Sequence, residues 1–264
     1  MNDTAQLHFQ RLPLSQRMTF TLTLMVLGLG YLFAMIHVFA SHAGRDGSAS
    51  LSVNDLVIAY SGSESDTRLE SALKGPMQGM LPHEERAEII AWVRSGAEKP
   101  AYESEIAPVV EKRCLACHDG ANPHVLDLST YEGVTGLTEA DTGMDIFTLV
   151  RVSHIHLFGI TFIFFITSMI FSHVYMRPLW MKCLVIAVPF IAIALDVASW
   201  YLTKIYRPFA WVVLISGGFM GLAFAIQWIM SIWQMWFYRL PEELRESDGV
   251  LPSIIREGYT GQEA

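Results

Sequence analysis

The sequence predicts an all-α membrane protein: a four-helix transmembrane bundle with a small helical domain inserted between helices 1 and 2. Three observations carry this. Four apolar runs, residues 18–40, about 152–176, 183–203 and 209–237, each approach or exceed the ~20 residues that cross ~30 Å of hydrocarbon. A polar stretch of about a hundred residues separates the first run from the second. The composition is divided in the same way: 52% of the 264 residues are hydrophobic, yet 26 acidic residues stand against 18 basic ones, as expected of two unlike parts.

Taken in order, residues 1–43 form the N-terminus and first span, 44–147 the inserted domain, 148–238 three further spans and 239–264 a polar tail. The basic residues beside the spans set their direction. Arg11 and Arg17 precede the first, Arg177 and Lys182 fill the turn between the second and third, and Arg239 and Arg245 follow the fourth. Positive flanks face the cytoplasm, so both termini are expected inside and residues 44–147 outside the inner membrane. Lys204 and Arg207 argue the other way but are outnumbered. The first span also has a signal-peptide reading, since SHA precedes Gly44. Its run exceeds the 7–15 apolar residues of a signal peptide, which favours an uncleaved anchor.

Within the inserted domain, RCLACHDG at residues 113–120 carries the chemistry. The chain has three cysteines, Cys114, Cys117 and Cys183. A four-cysteine zinc site and a disulfide framework are therefore excluded. C-x-x-C-H reads as the attachment site of one covalent haem c: two thiols one helical turn apart take the two vinyl groups, and His118 supplies the proximal nitrogen. The alternative is a thioredoxin-like dithiol, which should follow a strand and open a helix. Here a short helix precedes the motif instead. Haem c is attached outside the cytoplasm, so the motif and the charge-based topology agree independently.

Upstream stands GPMQGMLPHEERAEIIAWVRSGAEKP, with Ile89, Ile90, Trp92 and Val93 at helical spacing behind an acidic helix start. It resembles the C-terminal part of class I c-type cytochromes, in which a distal methionine precedes a last helix of the form E-I-x-x-L-x-x-W-I. EIAPVVEKRCLACH resembles the first helix of that family, and HVLDLSTYEGV the segment after it. In the family the methionine and last helix follow the haem motif, and here they precede it. The resemblance, over about 75 residues and specific at the haem motif, implies a circularly permuted cytochrome c domain with its final helix at 83–96 and its first at 102–113. It also implies a distal ligand, for which Met77 ranks first and Met80 second, with Met144 and His124 as downstream rivals. Methionine–histidine ligation raises the haem potential.

Residues 44–147 hold 18 acidic and 8 basic side chains, a net of −10. Such a surface steers a basic soluble electron carrier and repels nucleic acid. Within the spans, His37, His154, His156 and Asp196 fall near one expected depth. Ionisable groups there are expensive, and three uses are open: a b-type haem between two histidines, a transition-metal site, or hydrogen bonding among themselves near the headgroups. His173 lies near the opposite end, and spans three and four hold no histidine to pair with it. Trp200, Trp211, Trp228, Trp233, Trp236 and Phe237 read as interface belt and packing. Gly217, Gly218 and Gly221 are expected to allow close helix contact.

Together these readings predict a membrane-bound monohaem electron-transfer subunit. Its expected partners are membrane lipid, other membrane redox subunits or quinol, and a soluble periplasmic carrier. The alternative is a haem-based redox or gas sensor or an assembly protein. The polar tail of about 25 residues is short for an effector domain, which favours electron transfer. No nucleophile or general-base motif is visible, so the expected role is a redox subunit within a larger oxidoreductase rather than an independent enzyme.

Overall fold

The computed structural model describes residues 8–123 and 125–239. Their regular structure is helical, with one isolated antiparallel bridge between Thr67 and Ala140 and no strand among the described residues. Four helices are long and apolar enough to cross a membrane: α1 (Leu14–His42), α8 (Ile146–Phe171), α9 (Leu179–Ile205) and α10 (Ala210–Trp236), the last led in by a 3-10 turn at Arg207–Phe209. Between α1 and α8 lie α2 (Val53–Ser61), α3 (Arg68–Lys74), α4 (His83–Arg94), α5 (Lys99–Ala101), a π-helical turn (Tyr102–Ile106), α6 (Ala107–Arg113) and α7 (Tyr131–Thr135).

The chain forms two compact units. The first takes in the described parts of Met1–Gly30, Phe158–Ile193 and Gly218–Ala264. Its apolar core is built on Phe9, Leu12, Leu24, Phe171, Val174 and Met235. Two buried amides inside it are satisfied, as hydrocarbon demands, whereas Ser231 Oγ and Arg17 Nε have no partner among the described residues. Gln227 donates to the Val185 carbonyl at 3.0 Å and meets Ser168, while Gln234 both accepts from the Tyr175 N–H and donates to its carbonyl, at 2.7 and 2.8 Å. The close helix contact expected at Gly217 and Gly218 is not there, since a Cβ on either would meet nothing within 4 Å. It occurs at Gly28, where a Cβ would come within 2.8 Å of the Trp228 Nε1. That indole donates to the Leu24 carbonyl at 2.7 Å.

The second unit comprises Tyr31–Leu157 and Ala194–Gly217. Two of its helices start on reciprocal capping boxes, Ser52 with Asp55 for α2 and Thr67 with Glu70 for α3. Leu69, Leu73, Leu81, Ile89, Trp92, Val93, Tyr102, Ile106, Val110 and Val134 form one core, and Cys114 and Leu115 pack against it. Helix α4 ends at Arg94, short of the expected 96, because Gly96 and Ala97 take positive φ of 106° and 54°. The helix before the haem motif starts at Lys99, earlier than the expected 102, and widens to a π turn over Tyr102–Ile106. Pro108 lies just beyond and has no N–H for the Ser104 carbonyl; the wider turn fits the ring in without a clash.

Helix α8 begins at Ile146 instead of about 152, so the expected domain boundary at 147/148 falls inside it. The cause is a cap: Asp145 Oδ1 accepts the Thr148 N–H at 3.0 Å, and Leu149 N–H meets the Asp145 carbonyl at 2.9 Å. The helix also ends earlier, at Phe171, which leaves His173 in the turn that follows.

One acid-dependent feature follows from α3. Burial raises the Glu70 pKa, but the Thr67 N–H, Arg94 and the Thr67 hydroxyl outweigh it and hold the carboxyl below its ordinary value. A depressed folded pKa stabilises the fold above the unfolded value of about 4.3 and loses that stabilisation as pH falls through the lower folded value. Glu70→Gln is expected to lower stability at neutral pH by about 1–2 kcal/mol and to flatten the acid limb of a denaturant–pH series. An unchanged acid limb in the variant contradicts this role.

Candidate functional site

Helix α4 and the helix leading to the haem motif form an antiparallel hairpin. At one end Trp92 meets Tyr102, ring centroids 5.6 Å apart, and Trp92 Nε1 donates to the Glu98 carbonyl at 3.0 Å. At the other end Arg113 forks onto Glu85 at 2.7 and 2.9 Å, with Lys112 at 3.3 Å. The residues just before α4 therefore reach the end of the hairpin that carries Cys114, Cys117 and His118.

The motif itself continues α6 by one turn. Cys117 N–H and His118 N–H both reach the Cys114 carbonyl, at 3.1 and 2.9 Å, so the two sulfurs stand one helical turn apart. Cys114 is half-buried and Cys117 exposed. Because the turn lies at the C-terminal end of α6, the helix dipole does nothing to favour thiolates. Burial, with the Glu85 charge, raises the Cys114 thiol pKa. Redox dithiols need the opposite, an electropositive site that lowers it.

His118 is held twice. Its carbonyl accepts the Leu128 N–H at 2.9 Å, and its ring Nδ1 lies 2.8 Å from the Leu126 carbonyl. A carbonyl only accepts, so Nδ1 carries the proton and Nε2 keeps its lone pair. That is the tautomer and orientation of a metal-ligating imidazole. The intervening loop turns at Gly120, φ 79°, where a Cβ would come within 2.7 Å of Asp127 Oδ2. The residues present thus fit a covalent haem: two accessible sulfurs on one turn and an oriented nitrogen.

The distal candidates separate by position. Met77 is half-buried, six residues ahead of α4, with its N–H on the Ala72 carbonyl at 2.9 Å. Met80 shares that segment but is 65% exposed. Met144 lies elsewhere, its N–H on the Ala59 carbonyl and its own carbonyl on Lys204 Nζ at 2.8 Å. His124 lies outside the described residues.

The membrane residues regroup. His37 is exposed, and its carbonyl accepts from Ser41 at 2.7 Å. It lies five residues from the end of α1, whereas His156 is ten residues into α8 and Asp196 nine from the end of α9. Counted from the helix ends the three positions differ, because α8 starts earlier than its apolar run. His154 is exposed. Among the described residues no three His, Cys, Asp or Glu side chains converge as a metal set.

What does assemble is aromatic and acidic. His156 Nδ1 donates to the Val152 carbonyl at 2.9 Å, and its ring meets Trp200 edge-on at 5.2 Å. Trp200 stacks on Tyr60 at 5.8 Å and 11°. Asp196 lies one turn before Trp200 on α9, near its indole but outside hydrogen-bond geometry. Trp200 and Tyr60, 4% and 6% exposed, are core residues here rather than interface belt. Burial and the neighbouring Asp196 push the Tyr60 phenol pKa upward. Ser153 and Tyr201, hydroxyls 3.0 Å apart, hold α8 and α9 together at this level. Beyond them Lys204 Nζ donates to the carbonyls of Tyr60, Thr142 and Met144. Tyr60 and Lys204 escape a sequence reading of chemistry because their partners come from distant segments; the capping box ahead of α2 is the one local signal.

A family model described as a transmembrane helical domain (Aq_1264_TM) matches residues 139–242, which take in α8, α9 and α10. No curated protein and no solved structure matches the chain. The four spanning-length helices and the family match make this a membrane protein whose exposed apolar side chains contact lipid.

Proposed function

We propose that the chain is a membrane-bound monohaem c-type cytochrome subunit that passes electrons between a membrane partner and a basic soluble carrier. The observation that carries this reading is His118: its Nδ1–H is fixed on the Leu126 carbonyl one residue after two cysteines on a single turn. Cys114 and Cys117 hold the haem by two thioethers, His118 Nε2 is the proximal ligand, and Met77 is the distal one. Bound there, the haem supplies a one-electron centre at a potential raised by thioether ligation. The permuted cytochrome fold is supported by the hairpin of α4 with the helix leading to the motif, tied at the cysteine end by Glu85 with Arg113 and Lys112.

The domain faces the periplasm and the spans lie in the inner membrane. Lys204 and Arg207, the two basic residues that oppose this orientation, have structural employment instead. Lys204 satisfies three carbonyls and Arg207 pairs with Glu64. The flanks Arg11, Arg17, Arg177, Lys182 and Arg239 outnumber them on the proposed cytoplasmic side, although Arg17 and Lys182 likewise donate to backbone carbonyls.

Two experiments address the reading. Stopped-flow oxidation of the reduced chain by a basic soluble cytochrome is expected to slow as ionic strength rises, since the domain carries a net −10. A salt-independent rate contradicts docking on the acidic surface. Met77→Ala is expected to abolish the weak long-wavelength sulfur-to-iron absorption band and to lower the midpoint potential, while Met80→Ala and Met144→Ala keep both. Loss of the band in Met144→Ala alone would move the distal ligand downstream of the motif.

A further inference from the structure

Asp196 is 7% exposed and sits nine residues inside α9, about 14 Å from its end at 1.5 Å per residue. An ionisable side chain at that depth is costly. Among the described residues it forms no ion pair and joins no metal-ligand set. Two further groups have unused capacity: Trp200, one turn on from Asp196, and His156, whose ring meets Trp200 edge-on. The Trp200 Nε1–H is buried without an acceptor. His156, having given Nδ1–H to Val152, presents a free lone pair on Nε2. The stacked Trp200 and Tyr60 rings give the place a flat aromatic wall. Exposed Ile155 and Phe158 flank His156 on α8, so the half-buried imidazole borders the lipid-facing surface.

A ligand matched to these groups donates two hydroxyls, accepts one N–H on an oxygen, is flat, and enters sideways from the bilayer. We infer that His156, Asp196, Trp200 and Tyr60 bind the headgroup of a quinol, a dihydroxylated aromatic ring on an apolar tail. One hydroxyl donates to Asp196 and takes the Trp200 N–H on its oxygen; the other donates to His156 Nε2. A metal cation is disfavoured by the missing third ligand. A water in the same place would meet the polar atoms and leave the aromatic wall unused. The inference deepens the electron-transfer reading by naming the chemistry of its membrane partner, and it rests on that reading for its role.

The test uses the full chain in lipid nanodiscs and a short-tailed benzoquinol as probe, with binding measured by equilibrium dialysis against empty nanodiscs. Saturable binding of one quinol per chain is expected. Asp196→Asn and His156→Phe should each weaken it at least tenfold. His156→Gln, which keeps an acceptor, should retain most of the affinity, and His37→Ala should match wild type. Uptake that is linear in lipid and equal in all variants overturns the inference. Should Asp196→Asn fail to fold, the contrast between Phe and Gln at position 156 still decides: equal affinities overturn the site. An azido-substituted quinone should crosslink to peptides of α8 or α9, and labelling confined to other segments also overturns it. Haem content measured on the same samples separates the two proposals. Haem without saturable quinol removes the site and leaves the cytochrome reading. Quinol binding without haem does the reverse.

Discussion

Cys114→Ala combined with Cys117→Ala is expected to leave no covalent haem on the chain at all. Each thioether is an independent covalent anchor, so either single variant should retain haem on a denaturing gel at reduced yield, whereas the double variant has no thiol left on that turn. Cys183 is not on that turn; it lies in α9. The substitutions themselves are mild. Cys117 is exposed, and Cys114 only borders the core through Leu115 and its neighbours, so the loss should come from chemistry and not from unfolding. Circular dichroism of the double variant should retain the helical signal. Haem staining of the double variant at wild-type strength contradicts the assignment.

The second large effect is expected at Lys204. Its ammonium donates to three carbonyls, Tyr60 and Thr142 at 2.9 Å and Met144 at 2.8 Å. These come from α2 and from the segment ahead of α8, so one side chain ties two backbone segments, at three carbonyls, to the end of α9. Charge-assisted hydrogen bonds contribute about 1.5–3 kcal/mol each, and they are not additive. Water can reach part of the site, and Lys204→Met is accordingly expected to cost about 2–4 kcal/mol in total. Lys204→Arg should recover only part of it, since a planar guanidinium cannot aim three donors at the points an ammonium reaches. Hydrogen exchange and limited proteolysis should locate the loosening at residues 59–64 and 141–145. Unchanged protection there contradicts the clamp.

The spans were legible because run length alone decides what crosses hydrocarbon. Their ends were not, because a cap outweighs hydropathy locally. Asp145 starts α8 several residues ahead of its apolar run. The C-x-x-C-H spacing was legible because it is local, and the structure adds that both cysteines lie on one turn with the His118 ring held on the Leu126 carbonyl. The hairpin that joins α4 to the motif was legible only through family resemblance, and its ion pairs and aromatic contacts give it a physical basis. The Tyr60–Trp200–His156 cluster was not legible. Trp200 looks like any interface tryptophan until α2 supplies Tyr60 from about 140 residues away. Lys204 was legible only as a topology signal opposed to the other basic residues, and its three carbonyl partners were hidden for the same reason. Gly28, not Gly217 or Gly218, takes the close contact, since which glycine faces a neighbour depends on packing and not on clustering.

The central claim is one covalent haem on Cys114 and Cys117 ligated by His118. It is tested most directly by pyridine haemochrome analysis of the wild-type chain, produced with a cytochrome c maturation system, alongside intact-protein mass spectrometry. The account predicts a c-type haemochrome at one haem per chain and a single species heavier than the polypeptide by one haem. A chain at its unmodified mass, with no haemochrome signal after maturation, would contradict it.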